Sequence, residues 1–307
     1  MQQARLGGPV ASVILPAEVK PLLLLGLIAV FLAAAGGTGT APPPALLTSS
    51  VGSHPGFGLC VARADGSRRL RLTRGNDSGP SWSPRGRYVA FARQTASQSK
   101  IVIADARGRI LRRFGTGFSS EPAWSPNGRR IAYSSNGRIV VASTAGRTIT
   151  EITVQALAGG PAWSPDSRRI AFAETQDMDL GALRAIYVVN ADGTGRRLLA
   201  GNATDPAWSP SGSKLAYVAY QSRLAESGFV TVANADGTGA RRLTTSGEPE
   251  SQPAWSPGGR QLAFRRGEAI VVAPSAGGAG RVAIRDGRDP AWRAQVTLPS
   301  VRRAACQ

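Results

Sequence analysis

A short motif around tryptophan recurs six times in this chain and accounts for every tryptophan in it. The copies read PSWSP at Pro80, PAWSP at Pro122, Pro161, Pro206 and Pro253, and a truncated PAW at Pro290. The tryptophans are Trp82, Trp124, Trp163, Trp208, Trp255 and Trp292, spaced 42, 39, 45, 47 and 37 residues apart. This period is typical of a β-propeller in which each repeat builds one four-stranded blade.

Each repeat contains the pattern of four short strands. The tryptophan ends the first strand, and the Ser-Pro that follows places proline where a type I turn requires it. The second strand alternates, as in RRIAF from Arg168, and the third is apolar on both faces, as in residues 186–189. A strand that is apolar on both faces belongs to a sheet packed between two other sheets. The Asp-Gly pairs after the third strands indicate hairpin turns.

The array of repeats begins and ends with half a repeat. Residues 57–75 match the second half, and DPAW at Asp289 matches the beginning. The sequence therefore predicts an all-β, six-bladed β-propeller of four-stranded antiparallel blades, closed by a sixth blade shared between the N-terminal and C-terminal segments. Such closure removes an open sheet edge. Two segments are candidates for that blade's second strand, residues 296–298 and the segment near Leu46.

The repeats resemble the TolB-like, WD-repeat-like propeller family, whose copies carry PAWSPDG, IAF, IYVxNADG and RRLT in this order. The matching stretches are clearest from Pro161 to Ala200, and RRLT stands at residues 241–244. The resemblance spans about residues 57–298. It implies the family's six-bladed fold.

The chain outside the repeats divides into three segments. Arg5 and Lys20 precede an uncharged run, residues 22–35, so residues 1–35 are predicted to be a signal peptide or an N-terminal membrane anchor. The protein is thus expected to be exported to the cell envelope or the exterior. Residues 36–56 are predicted to be a flexible Gly/Pro/Ser tether, residues 57–298 the propeller, and residues 299–307 a tail.

Cys60 lies in the N-terminal half of the predicted closing blade, and Cys306 lies just beyond its C-terminal half. Because export would expose the chain to oxidising conditions, they are candidates for a disulfide that ties the closure together. The alternative is a buried, apolar Cys60 and a disordered tail.

The formal net charge is +18, and arginine supplies all but three of the 37 basic residues. A field of this size attracts polyanions such as cell-wall polymers or nucleic acid. The arginine pairs recur once or twice per repeat, however, which spreads them around the rim. Specific nucleic-acid binding is therefore not expected, and polyanion binding would require the arginines to cluster on one face.

Catalytic and metal-binding patterns are missing from the sequence. The single histidine, His54, lies in the predicted tether, and neither G-x-S-x-G nor H-E-x-x-H occurs. The sequence predicts no metal site, no cofactor and no enzyme. The enzymatic alternative is a channel-site hydrolase that uses glycosidase-like carboxylates at the propeller axis.

The residue three places before each tryptophan is expected to face the central channel. These residues are Gly79, Glu121, Gly160, Asp205, Gln252 and Asp289. Acids recur at every second blade, so Glu121, Asp205 and Asp289, with Gln252, are predicted to line a mouth that holds a cation, a basic side chain or a partner's tail. The alternative is that each acid accepts amides of its own loop or pairs with an arginine. The tryptophans are expected to be buried structural residues.

Taken together, the residues favour an exported, non-catalytic, monomeric propeller that binds a protein or peptide partner through one face. An N-terminal membrane tether is compatible with this hypothesis.

Overall fold

The structure is a computed structural model that describes residues 45–50, 58–67, 69–178 and 181–293. These residues all belong to one unit of the chain, residues 42–307. The predicted signal peptide or anchor, His54, the tail and Cys306 lie outside the described residues. In the part that is described, no helix has the length and apolar character needed to cross a membrane.

The described strands form six four-stranded antiparallel sheets, here called blades 1 to 6. Blade 1 contains β4 (Asn76–Trp82), β5 (Tyr88–Gln94), β6 (Ser99–Asp105) and β7 (Ile110–Phe114). Blade 2 contains β8 (Ser119–Trp124), β9 (Arg130–Ser135), β10 (Arg138–Ser143) and β11 (Thr148–Ile152). Blade 3 contains β12 (Leu157–Trp163), β13 (Arg169–Met178), β14 (Gly181–Asn190) and β15 (Arg197–Gly201).

The remaining strands follow the same order. Blade 4 contains β16 (Ala203–Trp208), β17 (Lys214–Tyr220), β18 (Gly228–Asn234) and β19 (Arg241–Arg242). Blade 5 contains β20 (Glu250–Trp255), β21 (Gln261–Arg266), β22 (Ala269–Pro274) and β23 (Arg281–Arg285). Blade 6 combines β24 (Gly287–Trp292) with β1 (Ala45–Ser50), β2 (Leu59–Arg63) and β3 (Leu70–Arg71). The fold is an all-β propeller of four-stranded antiparallel blades.

Apolar side chains fill the spaces between neighbouring blades. Ile139 and Val141 of blade 2 pack with Trp163, Ile170 and Phe172 of blade 3. The second-strand aromatics are all buried: Phe91, Tyr133, Phe172, Tyr217 and Phe264. Burying each such side chain contributes about 1.5 to 3 kcal/mol relative to leaving it exposed. The blades thus pack on one another through the apolar face of each second strand and both faces of each third strand.

The segment near Leu46 supplies the second strand of blade 6. Strand β1 pairs with β2 on one side and with β24 on the other. The prediction that residues 36–56 form a flexible tether is therefore wrong for residues 45–50. Their strand depends on hydrogen-bonding edges that β2 and β24 supply from opposite ends of the sequence, which local composition does not reveal.

The Ser-Pro turns connect the first and second strands and also contact the next blade. In blade 2 the Gly128 amide donates to the Ser125 carbonyl at 2.8 Å, and the Ser125 Oγ accepts from the Arg130 amide at 2.9 Å. Gly128 has a φ of 72°, a left-handed value that favours glycine. The Cβ of an alanine there would lie 3.6 Å from Pro84 Cδ of blade 1. The turns of adjacent blades therefore lie close together.

Candidate binding site at the channel mouth

Six equivalent residues, each three places before a motif tryptophan, line one narrow cavity. They and the prolines that follow them enclose about 160 Å³. All six have left-handed φ values: Gly79 58°, Glu121 51°, Gly160 60°, Asp205 54°, Gln252 56° and Asp289 49°. In blades 1 to 5 a β-bulge interrupts the register of the inner strand at this point. The structure thus brings the predicted residues Glu121, Asp205, Gln252 and Asp289 together.

The left-handed backbone costs free energy at the four positions that are not glycine, and hydrogen bonds between blades offset it. Glu121 Oε2 accepts from the Gly160 amide at 2.8 Å. Asp205 Oδ2 accepts from the Gln252 amide at 3.0 Å. Each carboxylate therefore binds the backbone of the following blade, whereas the alternative was its own loop or an arginine. No arginine lines the cavity.

The links continue through blades 5 and 6 to blade 1. Gln252 Oε1 accepts from the Asp289 amide at 3.1 Å, and Gln252 Nε2 donates to Asp289 Oδ1. Asp289 Oδ2 accepts from the Gly79 amide at 3.0 Å. Gly79 and Gly160 have no side chain to offer the next blade. Four of the six blade-to-blade links at the mouth are thus made by side chains.

The carboxyl groups at the mouth lie close enough to affect one another's pKa. Burial raises the pKa of the Glu121 carboxyl, and the charges of Asp205 and Asp289 raise it further. Burial likewise raises the pKa of the Asp205 carboxyl, with Asp289 adding to the effect. Glu121 is nevertheless accessible to water, because a residue lining a channel touches solvent while protein surrounds it. Its Oε1 and the Asp205 Oδ1 accept no hydrogen bond from the described residues and are available to a ligand.

The arrangement suits a single positive group better than a metal ion. Among the described residues, no three Asp, Glu, His or Cys side chains are placed to hold a metal ion together. Calcium prefers six to eight oxygen ligands, roughly, which this mouth does not gather. An ammonium or guanidinium group needs only two or three acceptors.

The tryptophans lie between blades and not in the channel cavity. Trp82, Trp163 and Trp208 are buried, whereas Trp124, Trp255 and Trp292 are partly exposed. The indole N–H groups of Trp163, Trp255 and Trp292 donate to carbonyls of the preceding blade at 2.9 to 3.1 Å. Cys60 is buried on β2. Its pairing with Cys306 stays a prediction, because Cys306 lies outside the described residues.

Two further acids, Asp77 and Glu250, are paired with arginines inside the blades. Asp77 accepts two hydrogen bonds from Arg93, at 2.6 and 2.7 Å. Glu250 accepts two from Arg266, at 3.0 and 2.8 Å. The repeats carry a signal for these pairs. The acid lies two places before the channel-facing residue, and the arginine lies two places after the phenylalanine of the second strand in the same blade. Both carboxylates are buried and paired with arginine, so removing either partner would leave an uncompensated buried charge.

A family model described as the TolB beta propeller domain matches residues 119–281, more than half of the chain. The protein belongs to this family. The match spans blades 2 to 4 and blade 5 up to the first residue of β23, whereas blades 1 and 6 lie outside it. No curated protein matches the chain.

Solved structures share the fold of this family member at low sequence identity. TolB from Acinetobacter baumannii is 19% identical, with a TM-score of 0.65 over 86% of this chain and 70% of that one. A chain of a nidogen/laminin complex is 16% identical, with a TM-score of 0.63 over 81% and 98%. An oligogalacturonate lyase in complex with manganese is 14% identical, with a TM-score of 0.50 over 79% and 74%. These similarities concern the fold alone.

Proposed function

We propose that this protein is an exported, non-catalytic scaffold that binds a protein or peptide partner at the channel mouth. The observation that carries the proposal is the convergence of Glu121, Asp205 and Asp289 on one small cavity of an otherwise strongly basic protein. A complete six-bladed ring, closed by blade 6, is part of the proposal. So are export, an N-terminal membrane tether and a monomeric state.

The dimensions of the mouth suggest what it holds. A cavity of about 160 Å³ is below the usual range for small-molecule pockets, about 300 to 1,000 Å³. It accommodates one lysine or arginine side chain, or the amino end of a chain, presented by a larger partner. Because the backbone amides of neighbouring blades hold the carboxylates in place, little ordering would be needed on binding. Protein binding also fits a fold that a nidogen/laminin complex contains.

A channel-site hydrolase is the second candidate function. Its support is the raised pKa of Glu121 and Asp205, because a general acid must hold its proton near neutral pH. An oligogalacturonate lyase has a similar fold. The carboxylates here are held by backbone amides, however, so binding remains the function we favour.

Calorimetry with a lysine-rich peptide tests the proposal. The variant carries Glu121→Gln, Asp205→Asn and Asp289→Asn together. The amide oxygens can still accept the same backbone bonds, as Gln252 does in the native chain, and asparagine tolerates left-handed φ. Native protein should bind and the variant should lose at least about tenfold in affinity, about 1.4 kcal/mol.

The control removes charge elsewhere, through Glu226→Gln and Glu248→Gln, both outside the mouth. It should bind like the native protein. Equal heats from the native protein and the triple variant would refute the mouth as a binding site. Hydrolysis of an acidic or neutral glycan by native protein, lost in the triple variant, would favour the hydrolase instead.

A further inference from the structure

Among the described residues, arginine stacks over the tryptophan at three junctions between blades, those of Trp82, Trp163 and Trp208. In blades 1 to 5 the residue six places after the tryptophan begins the second strand. Arg130 stacks over Trp163 with its guanidinium carbon 4.9 Å from the ring centre, and Arg169 stacks over Trp208 at the same distance. In blade 1 this position is Tyr88. No guanidinium of the described residues lies over the Trp124 ring.

A groove replaces the missing arginine. It lies between blades 1 and 2 and has a volume of about 950 Å³. Its apolar wall is formed by Tyr88, Leu111, Ile103 and Trp124. Tyr88 and Leu111, both on blade 1, are each 41% exposed. The volume matches pockets that take up a small ligand or a short peptide segment.

The rest of the groove is cationic. Arg85, Arg87 and Arg112 line it, and no Asp or Glu does. No ion pair or side-chain hydrogen bond occupies these three guanidiniums within the described residues. Some arginines elsewhere are held by carboxylates, as Arg93 is by Asp77. Three unpaired guanidiniums beside an apolar wall complement a ligand that carries both negative charge and an apolar group.

The equivalent groove between blades 4 and 5 lacks this combination. It is smaller, about 460 Å³, and Ser211 and Ser213 stand where Arg85 and Arg87 stand in blade 1. Lys214 takes the position of Tyr88. The groove between blades 1 and 2 therefore has features that the repeat itself does not require.

We propose that this groove binds an acidic peptide segment that carries one aromatic or aliphatic side chain. The apolar group would contact Trp124, Tyr88 and Leu111, while its acidic neighbours would pair with Arg85, Arg87 and Arg112. Aliphatic Leu111 and Ile103 favour a peptide side chain over a nucleic acid, whose bases stack on successive aromatic platforms. The inference extends the protein-binding function to a second surface and does not depend on the channel mouth.

Calorimetry with synthetic peptides tests the groove. The probe is a short peptide with one phenylalanine flanked by aspartates and glutamates, and its companions replace the phenylalanine by serine or the acids by lysine. Native protein should bind the probe at least about tenfold more tightly than either companion. Tyr88→Arg should abolish this preference, because an arginine at this position covers the tryptophan in the next two junctions.

Matched variants separate the groove from general effects. Lys214→Arg makes the corresponding change between blades 4 and 5 and should leave binding unchanged. Arg85→Ala with Arg112→Ala should weaken binding by about tenfold and reduce its salt dependence. Arg107→Ala with Arg223→Ala removes the same charge from exposed positions outside the groove and should change affinity by less than about twofold.

Two results would overturn the inference. One is binding of the probe that does not depend on the groove: either Tyr88→Arg leaves the probe affinity unchanged, or single-stranded DNA displaces the probe equally well from all variants. Either outcome would indicate a general polyanion-binding surface. The other is no binding of the probe by native protein. The channel-mouth triple variant should keep the probe affinity, so failure of either site is recognised separately.

Discussion

The two sides of blade 1 are joined to their neighbours in different ways. Towards blade 6, Arg293 stacks over Trp82 at 4.5 Å and donates to the Gly86 carbonyl at 3.2 and 3.0 Å through Nε and Nη2. Arg293 is only 2% exposed. At the axis, Asp289 accepts from the Gly79 amide. The junction where the two ends of the array meet is therefore held both at the channel mouth and at the Trp82 end of the inner strand.

Towards blade 2, blade 1 offers neither contact. Gly79 has no side chain for the Glu121 amide, and Tyr88 leaves Trp124 uncovered. Polar contacts come from Ser81, whose Oγ accepts from the Trp124 amide at 3.0 Å, and from Ser99, whose Oγ donates to the Ser119 carbonyl at 2.8 Å. The same repeat thus makes a sealed junction, in which arginine covers the tryptophan, or an open one, in which the tryptophan lines a groove. The difference teaches that single side chains at fixed repeat positions decide which junctions have stabilising contacts between blades and which have an exposed groove.

Alanine at the two tryptophans of blades 1 and 2 should show the largest contrast. Trp82→Ala removes a buried ring from the sealed junction and should lower the free energy of unfolding by about 3 to 5 kcal/mol. Trp124→Ala acts on a partly exposed ring and should cost less than the lower end of that range. Urea denaturation of both variants measures the difference; equal costs would contradict the distinction between the junctions.

Loss of the arginine over the tryptophan should have the next largest effect. Arg293→Ala leaves a cavity over Trp82 and an unpaired carbonyl at Gly86, so we expect a loss of about 2 to 4 kcal/mol. Arg130→Ala removes the equivalent contact with Trp163 and Ser167 from a partly exposed position, and should cost about 1 kcal/mol. A smaller loss for Arg293→Ala than for Arg130→Ala would show that closure does not depend on this residue.

Sealing the open junction should stabilise the protein slightly. Tyr88→Arg places a guanidinium over Trp124, as in the next two junctions, and should raise the free energy of unfolding by about 0.5 to 1 kcal/mol. Thermal unfolding of this variant, with Lys214→Arg as the matched control, measures the gain. A lower melting temperature for Tyr88→Arg alone would indicate that the groove is shaped by more than this one position.

The channel mouth should give the smallest effect. Because the folded-state pKa values of Glu121 and Asp205 are raised, their contribution to stability is present below the unfolded carboxyl pKa and is lost as pH rises through the folded value. Glu121→Gln with Asp205→Asn should remove this loss. We expect the variant to match or slightly exceed the native melting temperature at neutral pH, with a flatter profile through the acidic range. A steeper profile in the variant would reverse the assigned sign.

Much of the candidate site could be predicted from the sequence, because it repeats with the tryptophan motif. The spacing of three residues placed Glu121, Asp205, Gln252 and Asp289 in one mouth. Their hydrogen-bond partners were not predictable in the same way, because the amide that each side chain binds belongs to the following blade. That amide is 37 to 47 residues away for three of the side chains and 210 residues away for Asp289. The sequence did not predict the groove either. Tyr88 has the pattern of an ordinary second-strand residue, and only the fold brings it into one groove with Trp124.

The sequence by itself determined the repeat, the strand alternation and the turns, because these depend on local backbone preferences and on which faces are apolar. Only the tertiary structure decided how the ends meet. Residues 45–50 become a strand because β2 and β24 flank them, and Arg293 is buried because blade 1 lies beside it. Both depend on edges and surfaces supplied by distant segments, and such contacts leave no periodic trace in the local sequence.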